Sequence, residues 1–189
     1  MKIGLIADTH VPAYSKEPPH QVAQAFEGVE LILHSGDIVI SSCLDWLERV
    51  APTYACEGNG DYFRRITDPR IERTRVMEVN GVSIGLTHGL AIPEMPPHRT
   101  MESVMAHEFG RAVDVIVFGD THTEEVVTVK DVLCVNPGSP TLPHNLDHII
   151  GTVGLLEIVE GQAPRTRIIH LASMTELDMQ NPTKWWSVR

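Results

Sequence analysis

Short apolar runs alternate with amphipathic stretches over the first 60 residues. "KIGLIA" from residue 2, "VELILHSGD" from residue 29 and "PTYACEGNGD" from residue 52 contain the apolar runs typical of strands buried on both faces. Between them, "HQVAQAFEG" and "SSCLDWLERV" have the apolar spacing of helices. We expect Gly28 to close the first helix and a serine to cap the second. This alternation predicts a parallel sheet with right-handed crossovers.

The later part of the chain predicts antiparallel strands. "RTRVMEVNGVSIGLTHG" from residue 73 predicts two strands joined by a two-residue turn at Asn80-Gly81. Further hairpins are predicted from "EEVVTVKDVLCVNPGS" and from "GTVGLLEIVEG" with "RTRIIHL". "HRTMESVMAHEFGRA" is helical in pattern, and "VDVIVFGD" is another buried strand. The whole pattern indicates an α/β sandwich of two sheets.

No linker divides the chain, so one domain is predicted over residues 1–189, with a C-terminal tail from about residue 172. We expect Trp185 and Trp186 in this tail to dock on the chain's own surface; a subunit interface, and hence a homo-oligomer, is the alternative. The proline-rich segment 91–100 is either a plain surface loop or a loop over the functional site.

Composition narrows the class of function. The 189 residues carry a formal net charge of −10, which argues against a broad nucleic-acid-binding face. A phosphorylated substrate remains compatible, because bound metal ions can supply a positive field. The three cysteines follow no zinc-binding spacing and are expected to be reduced core residues of a cytoplasmic protein. No apolar run approaches the ~20 residues that a membrane span needs.

Acidic, amide and imidazole side chains follow five of the predicted strands. In open α/β sheets the binding crevice lies beyond the carboxyl ends of the strands, so these side chains should converge there. They are Asp8, His10, Asp37, Asn59, His88, Asp120 and His122. Asp-Thr-His occurs twice among them, and alternate residues of an extended chain point to the same side. Each copy is therefore predicted to clamp a metal ion, with its threonine facing away.

The ligand types indicate the metal. Carboxylate, imidazole and amide donors without cysteine favour Mn²⁺, Fe²⁺, Mg²⁺ or Zn²⁺ over copper or an iron–sulfur cluster. Seven ligands suit two ions that share a bridging carboxylate. Each residue alone is more simply a turn, capping or core residue; the recurrence of the same chemistry at five junctions is what favours a metal centre.

Taken in order, these motifs resemble those of a known family. "D-x-H" at 8–10, "GD" at 36–37, "GN-x-D" at 58–61, "HG" at 88–89, "G-x-TH" at 119–122 and "NPGS" at 136–139 are similar to the motifs of the calcineurin-like metallophosphoesterase superfamily. Within it, the chain looks like the small bacterial and archaeal phosphodiesterases, which share their fold with the small retromer subunit. The resemblance implies a four-layer α/β/β/α sandwich of two mixed sheets.

The resemblance also implies a dinuclear centre, often with manganese. The first ion would take Asp8, His10, Asp37 and His122, and the second Asp37, Asn59, His88 and Asp120, with Asp37 bridging. The implied activity is hydrolysis of small phosphodiesters by a hydroxide held at this centre. Alternatives are a phosphomonoesterase, or a non-catalytic scaffold of the retromer-subunit type, although every ligand position here keeps a ligating side chain.

The sequence departs from the family pattern at three positions. Asp120 stands where the family usually has histidine. We expect this carboxylate to shift the metal preference of the site toward Mn²⁺, Mg²⁺ or Fe²⁺ and away from Zn²⁺. Gly60 replaces a histidine that can protonate the leaving group in larger relatives, and leaves Asp61 without its usual partner. His144 stands where relatives often carry arginine, and is either a phosphate contact or a plain loop residue. His34 and His148 are expected to be structural or to support the ligands.

Overall fold

Two mixed β-sheets form the centre of the computed structural model, which describes residues 1–91, 99–182 and 184–187. The larger sheet has the strand order β12-β11-β10-β1-β2-β3-β4, and the smaller one β5-β6-β7-β9-β8. The strands of the larger sheet are β1 (Lys2–Ile6), β2 (Leu31–His34), β3 (Thr53–Cys56), β4 (Ile71–Glu72), β10 (Thr152–Glu157), β11 (Arg165–His170) and β12 (Thr175–Glu176). Those of the smaller sheet are β5 (Arg75–Val79), β6 (Val82–Leu86), β7 (Val115–Val117), β8 (Glu124–Val129) and β9 (Val132–Pro137).

Strand direction follows the sequence pattern. The strands β1 to β4 run parallel, as the alternation of strands and helices predicts. On the other side of β1, the strands β10, β11 and β12 follow in turn, each antiparallel to the strand before it. In the smaller sheet β6, β7 and β9 are parallel, while β5 and β8 join as antiparallel hairpin partners. The predicted turn at Asn80-Gly81 joins β5 to β6 with positive φ at both residues, as a tight hairpin requires.

The α-helices of the described residues are α1 (His20–Ala25), α2 (Ser41–Glu48), α3 (Asn59–Arg64) and α4 (Met101–Phe109). Three of these four described helices, α1, α2 and α4, cover the outer faces of the two sheets, and α3 follows β3. One apolar cluster joins α1 and α2 to the larger sheet, a second lies between the sheets, and a third joins α4 to the smaller sheet. The predicted four-layer α/β/β/α sandwich is therefore confirmed.

Some local expectations were wrong. The helix α1 ends at Ala25, before Gly28, and α2 begins without a side-chain cap, because its N-cap is Ile40. The Gly-Asn-Gly-Asp stretch after β3 begins a helix that the apolar pattern did not predict, α3. Residues 92–98 of the proline-rich loop lie outside the described residues. The predicted C-terminal tail from about residue 172 contains the short strand β12.

Cys43, Cys56 and Cys134 are buried and free, as expected of core cysteines. Within the described residues, no helix has the length and apolarity needed to cross a membrane.

Candidate metal centre

The carboxyl ends of β1, β2, β6 and β7 bring six of the seven predicted side chains together. The His10 and His122 Nε2 atoms are 3.0 Å apart. His10 Nε2 is 3.5 Å from Asp37 Oδ2, and His122 Nε2 is 3.8 Å from Asp8 Oδ1. His88 Nε2 lies 3.6 Å from Asp37 Oδ1 and 3.5 Å from Asp120 Oδ1. Residues up to 114 positions apart in the sequence thus form one cluster of three carboxylates and three imidazoles.

Two overlapping triads in this cluster have the spacing of metal ligands. One consists of Asp8, His10 and His122, and the other of Asp8, Asp37 and His88, with donor atoms within 4.8 Å of one another in each. Asp8 is common to both triads. Asp37 also faces both sides, with one oxygen toward His10 and the other toward His88. The assignment of Asp37 as the bridging ligand stays a prediction, since both carboxylates are central.

The backbone reason given for the two clamps was wrong. The strand β1 ends at Ile6, and Asp8 and His10 have left-handed φ values of 51° and 44° instead of extended ones. Asp120 and His122, with φ values of 72° and 59°, repeat this conformation. Aspartate and histidine enter the left-handed region more readily than most residues. Both side chains of each segment therefore reach the cluster from a tight turn after the strand.

Glycines precede two of the cluster's aspartates, Asp37 and Asp120, because the chain passes very close to the ligands there. A Cβ on Gly36, whose φ is +91°, would lie 2.5 Å from the His88 ring. A Cβ on Gly119 would lie 2.9 Å from Asp8 Oδ2. A side chain at either position would push the strand ends apart, so these glycines keep the cluster compact.

The His88 side chain is held in the tautomer that a metal ligand needs. Its Nδ1 atom lies 2.7 Å from the Ser35 carbonyl oxygen, to which only a protonated nitrogen can donate. In the neutral ring Nε2 then carries a lone pair. That atom is buried, has no hydrogen-bond partner among the described residues, and lies near two carboxylate oxygens. A cation bound between the His88 Nε2 lone pair and these carboxylate oxygens would stabilise this arrangement.

Burial shifts the pKa values of several side chains in the cluster. The Asp8 side chain has no exposed surface, and burial, followed by the nearby charges of Asp37 and Asp120, raises its pKa well above the ordinary value. Burial lowers the pKa of His10 and His122, which favours their neutral, ligating form. In the described part of the chain, no lysine or arginine pairs with Asp8, Asp37 or Asp120. The donor set therefore fits divalent cations.

Asn59 and its neighbours lie at the start of α3, beside the cluster. The Asn59 side chain is exposed and lines a cleft shared with His88. The Gly60 amide donates to Asp37 Oδ1 at 2.7 Å. Asp61 is buried and accepts from the amides of Gly58 at 2.9 Å and Val39 at 2.6 Å. Asp61 thus caps α3 and ties it to the loop after β2.

The two threonines face away from the cluster, as predicted. Thr9 is buried, and its Oγ1 lies 3.0 Å from His34 Nε2. Burial lowers the pKa of His34 to about 3, so it is a neutral core histidine. Thr121 is exposed and accepts from Asn136 Nδ2 at 3.0 Å. The expected structural role of His34 agrees with these contacts, whereas His148 is exposed beside Asp147.

His144 and the tail tryptophans form a group that sequence reasoning did not connect. The His144 Nε2 atom lies 3.0 Å from Glu124 Oε2, and its ring stacks on Trp186 at 3.7 Å. Trp185 donates from Nε1 to Glu124 Oε1 at 2.8 Å. The tail therefore docks on its own chain. The His144 amide donates to the His122 carbonyl at 2.9 Å, which places this group next to the cluster.

Known proteins are similar to this chain in sequence. Residues 1–161 match the calcineurin-like phosphoesterase superfamily domain. The chain is 37% identical over 147 residues to a probable metallophosphoesterase of Methanothermobacter thermautotrophicus, which covers 78% of this chain and 81% of the relative. It is 28% identical over 148 residues to a phosphodiesterase of Methanocaldococcus jannaschii, covering 73% and 83% of the two chains.

A solved structure extends the likeness in fold. Vps29 of Entamoeba histolytica, complexed with Zn²⁺, superposes with a TM-score of 0.70 and 24% identity, covering 93% of this chain and 96% of that one. At this identity the likeness concerns the fold, and it agrees with the two-sheet architecture described above.

Proposed function

The chain belongs to the calcineurin-like phosphoesterase superfamily, and from this premise we propose that it is a metal-dependent phosphodiesterase acting on small phosphodiesters. The observation that carries the proposal is the cluster of three carboxylates and three imidazoles with no lysine or arginine partner among the described residues. The similarity to a phosphodiesterase of Methanocaldococcus jannaschii supports the choice of diesters.

We assign two divalent cations to this cluster, with Mn²⁺ as the first choice and Fe²⁺, Mg²⁺ or Zn²⁺ as alternatives. Asp8, His10, Asp37 and His122 would hold the first, and Asp37, Asn59, His88 and Asp120 the second. When bound, such a pair lowers the pKa of a water molecule toward neutrality and offsets the negative charge of a phosphate ester.

The chain's own residues fix the geometry of this centre. The Ser35 carbonyl holds His88 with Nε2 toward the carboxylates, and the Asp120 amide donates to Asp8 at 3.1 Å. The Gly60 amide holds Asp37 in place. These contacts orient the ligands before a cation binds, so little reorganisation is needed when the charge of the substrate develops.

Gly60 shapes the expected substrate range. A general acid contributes roughly 10²–10⁴-fold to the departure of a poor leaving group. A glycine has no proton to donate, so the leaving group must be a weak base itself. We therefore expect aryl phosphodiesters to react at least about 100-fold faster than alkyl phosphate monoesters.

The test combines metal removal with two histidine variants. The purified protein is treated with EDTA, and hydrolysis of bis(p-nitrophenyl) phosphate is measured with and without added Mn²⁺. We expect activity only with the cation and its loss in His88→Ala. Activity should be retained in His148→Ala, because the His148 side chain is exposed and pairs with Asp147 instead of a predicted ligand.

Two outcomes would contradict the proposal. Full activity in protein that elemental analysis shows to be free of metal would exclude a metal-dependent mechanism. Folded, metal-bound protein that hydrolyses neither aryl diesters nor monoesters would instead favour the non-catalytic scaffold, for which hydrolysis is not needed.

A further inference from the structure

Two neighbouring aromatic side chains of α3 stand in solvent beside the candidate metal centre. The Tyr62 side chain is 66% exposed and that of Phe63 is 79% exposed. Their rings meet edge to face with centroids 5.9 Å apart. Full burial of such a side chain is worth about 1.5–3 kcal/mol, so an adjacent exposed pair does not serve the stability of the fold. Such a pair points to a ligand.

These aromatic rings line the cleft that also contains the candidate ligands His88 and Asn59. The cleft is largely open to solvent, and its volume of about 320 Å³ is at the lower end of the range for small-molecule sites. A phosphate held at the metal centre would therefore have one of its ester groups directed along this cleft, toward the aromatic pair.

The helix that carries the aromatic pair is anchored beside the metal centre. Asp61, between Asn59 and Tyr62 in the same short helix, is buried and bonded to the amides of Gly58 and Val39. Val39 lies two residues after Asp37. The hydrogen bonds of Asp61 therefore hold the α3 backbone, from which both aromatic side chains project, against the loop that carries Asp37, and such an ordered backbone lowers the cost of binding.

Charged side chains surround the aromatic pair. The exposed Arg73 lines the cleft together with the carboxylates of Glu57 and Glu108. A simple alkyl or aryl group would use none of them. A nucleobase offers two π-faces for stacking, and an edge with both hydrogen-bond donors and acceptors that match a guanidinium and carboxylates.

We propose that this cleft is a nucleobase subsite, in which Tyr62 and Phe63 stack on the base of a nucleoside phosphodiester whose phosphate lies at the metal centre. This inference rests on the proposed function, because the phosphodiester must be bound there. Tyr62 and Phe63 are then specificity residues that act on substrate affinity, and the metal ligands carry the chemistry.

The test compares two substrates with the same leaving group. These are thymidine 5′-(p-nitrophenyl) phosphate and methyl p-nitrophenyl phosphate. We expect the double variant Tyr62→Ala/Phe63→Ala to raise KM for the nucleoside ester about tenfold, with kcat unchanged, since stacking on a base is worth this much or more. The methyl ester should be hydrolysed as by the wild type.

Further variants separate stacking from other effects. Tyr54→Ala is the matched control, since Tyr54 is 42% exposed but packs under the Arg75 guanidinium outside the cleft. Tyr62→Trp should retain the low KM because it restores an aromatic face. Equal losses on both esters, or unchanged KM in the double variant, would overturn the subsite.

Failure of the proposed function gives a different result. If the wild type hydrolyses neither ester, calorimetric titration with thymidine 5′-monophosphate and Mn²⁺ decides the subsite alone. Binding that the double variant weakens about tenfold would support it. Binding that the double variant does not weaken, or no binding at all, would overturn it.

Discussion

The two Asp-Thr-His segments have the same sequence and the same left-handed turn, yet their surroundings are opposite. The Asp8 side chain has no exposed surface, whereas that of Asp120 is 50% exposed. The reason is that the second segment lies over the first. Gly119 packs directly over Asp8, and the Asp120 amide donates to the Asp8 carboxylate, so the second segment covers the first.

The two identical motifs therefore have different tasks. The first segment is the buried anchor of the cluster, because Asp8 belongs to both ligand triads. The second segment forms the rim, where Asp120 meets His88 and solvent. Substitutions at equivalent positions of the two segments should therefore have unequal effects.

The largest expected difference concerns the two aspartates. Asp8→Asn removes a charge common to both triads, so kcat/KM for bis(p-nitrophenyl) phosphate should fall by more than about 100-fold, the upper end for the loss of a supporting contact. Asp120→Asn keeps an oxygen donor at an exposed position and should lose about tenfold. The Mn²⁺ affinity measured by calorimetry should also fall more in Asp8→Asn than in Asp120→Asn. Equal losses of kcat/KM in the two variants would contradict the anchor and rim roles.

The threonines provide a comparison of stability. Thr9→Val leaves the buried His34 Nε2 without its partner, which should lower the free energy of unfolding by about 1–3 kcal/mol. Thr121→Val should cost less than about 0.5 kcal/mol, because Asn136 Nδ2 keeps its bond to the Gly119 carbonyl at 3.0 Å. Urea unfolding of both metal-free variants measures the difference. A larger loss at Thr121 would refute it.

The third comparison replaces the carboxylate ligand of the second segment by an imidazole. Asp120→His introduces the residue usual at this position in the family, and imidazole is a better ligand for Zn²⁺ than for Mg²⁺. We expect the ratio of Zn²⁺-supported to Mn²⁺-supported activity to rise about tenfold, the scale of one good ligand contact of about 1.4 kcal/mol. If the metal-free wild type regains most of its activity only with zinc, this view of Asp120 is wrong.

The sequence was sufficient for the main architecture and for the gathering of the site. Apolar runs followed by Asp, His or Asn predicted where strands end, and parallel strands bring those ends to one edge. His88 could be placed in this way although its partners are distant in the sequence. The two-residue strands β4 and β12 are too short to leave any periodicity, and so were missed.

Contacts across the fold could not be predicted. The role of Asp61 depends on the amide of Val39, from another loop, and that of His144 depends on Glu124 and on a tail more than 40 residues away. The left-handed turns at Asp8 and Asp120 have only a weak sequence signal, because aspartate enters this region more readily than most residues but usually adopts other conformations. Such features follow from packing, which a linear pattern does not record.

The smallest expected effect concerns acid stability and again separates the two segments. His34, which bonds Thr9 of the first segment, has its pKa lowered by burial to about 3, against about 6.5 when unfolded. Between these values the unfolded chain binds more protons, so stability is complete above pH 6.5 and is lost as the pH falls below it. Lowering the pH from 7.5 to 5.5 should therefore cost about 1 kcal/mol through this residue.

The variant His34→Leu isolates that contribution. In EDTA, its free energy of unfolding should depend less on pH than that of the wild type by about 1 kcal/mol over this interval, whatever its absolute stability. His148→Leu is the control, since His148 is exposed and should leave the dependence unchanged. If the wild type and His34→Leu show the same slope, His34 is protonated equally in both states, and the acid sensitivity does not arise beneath the first segment.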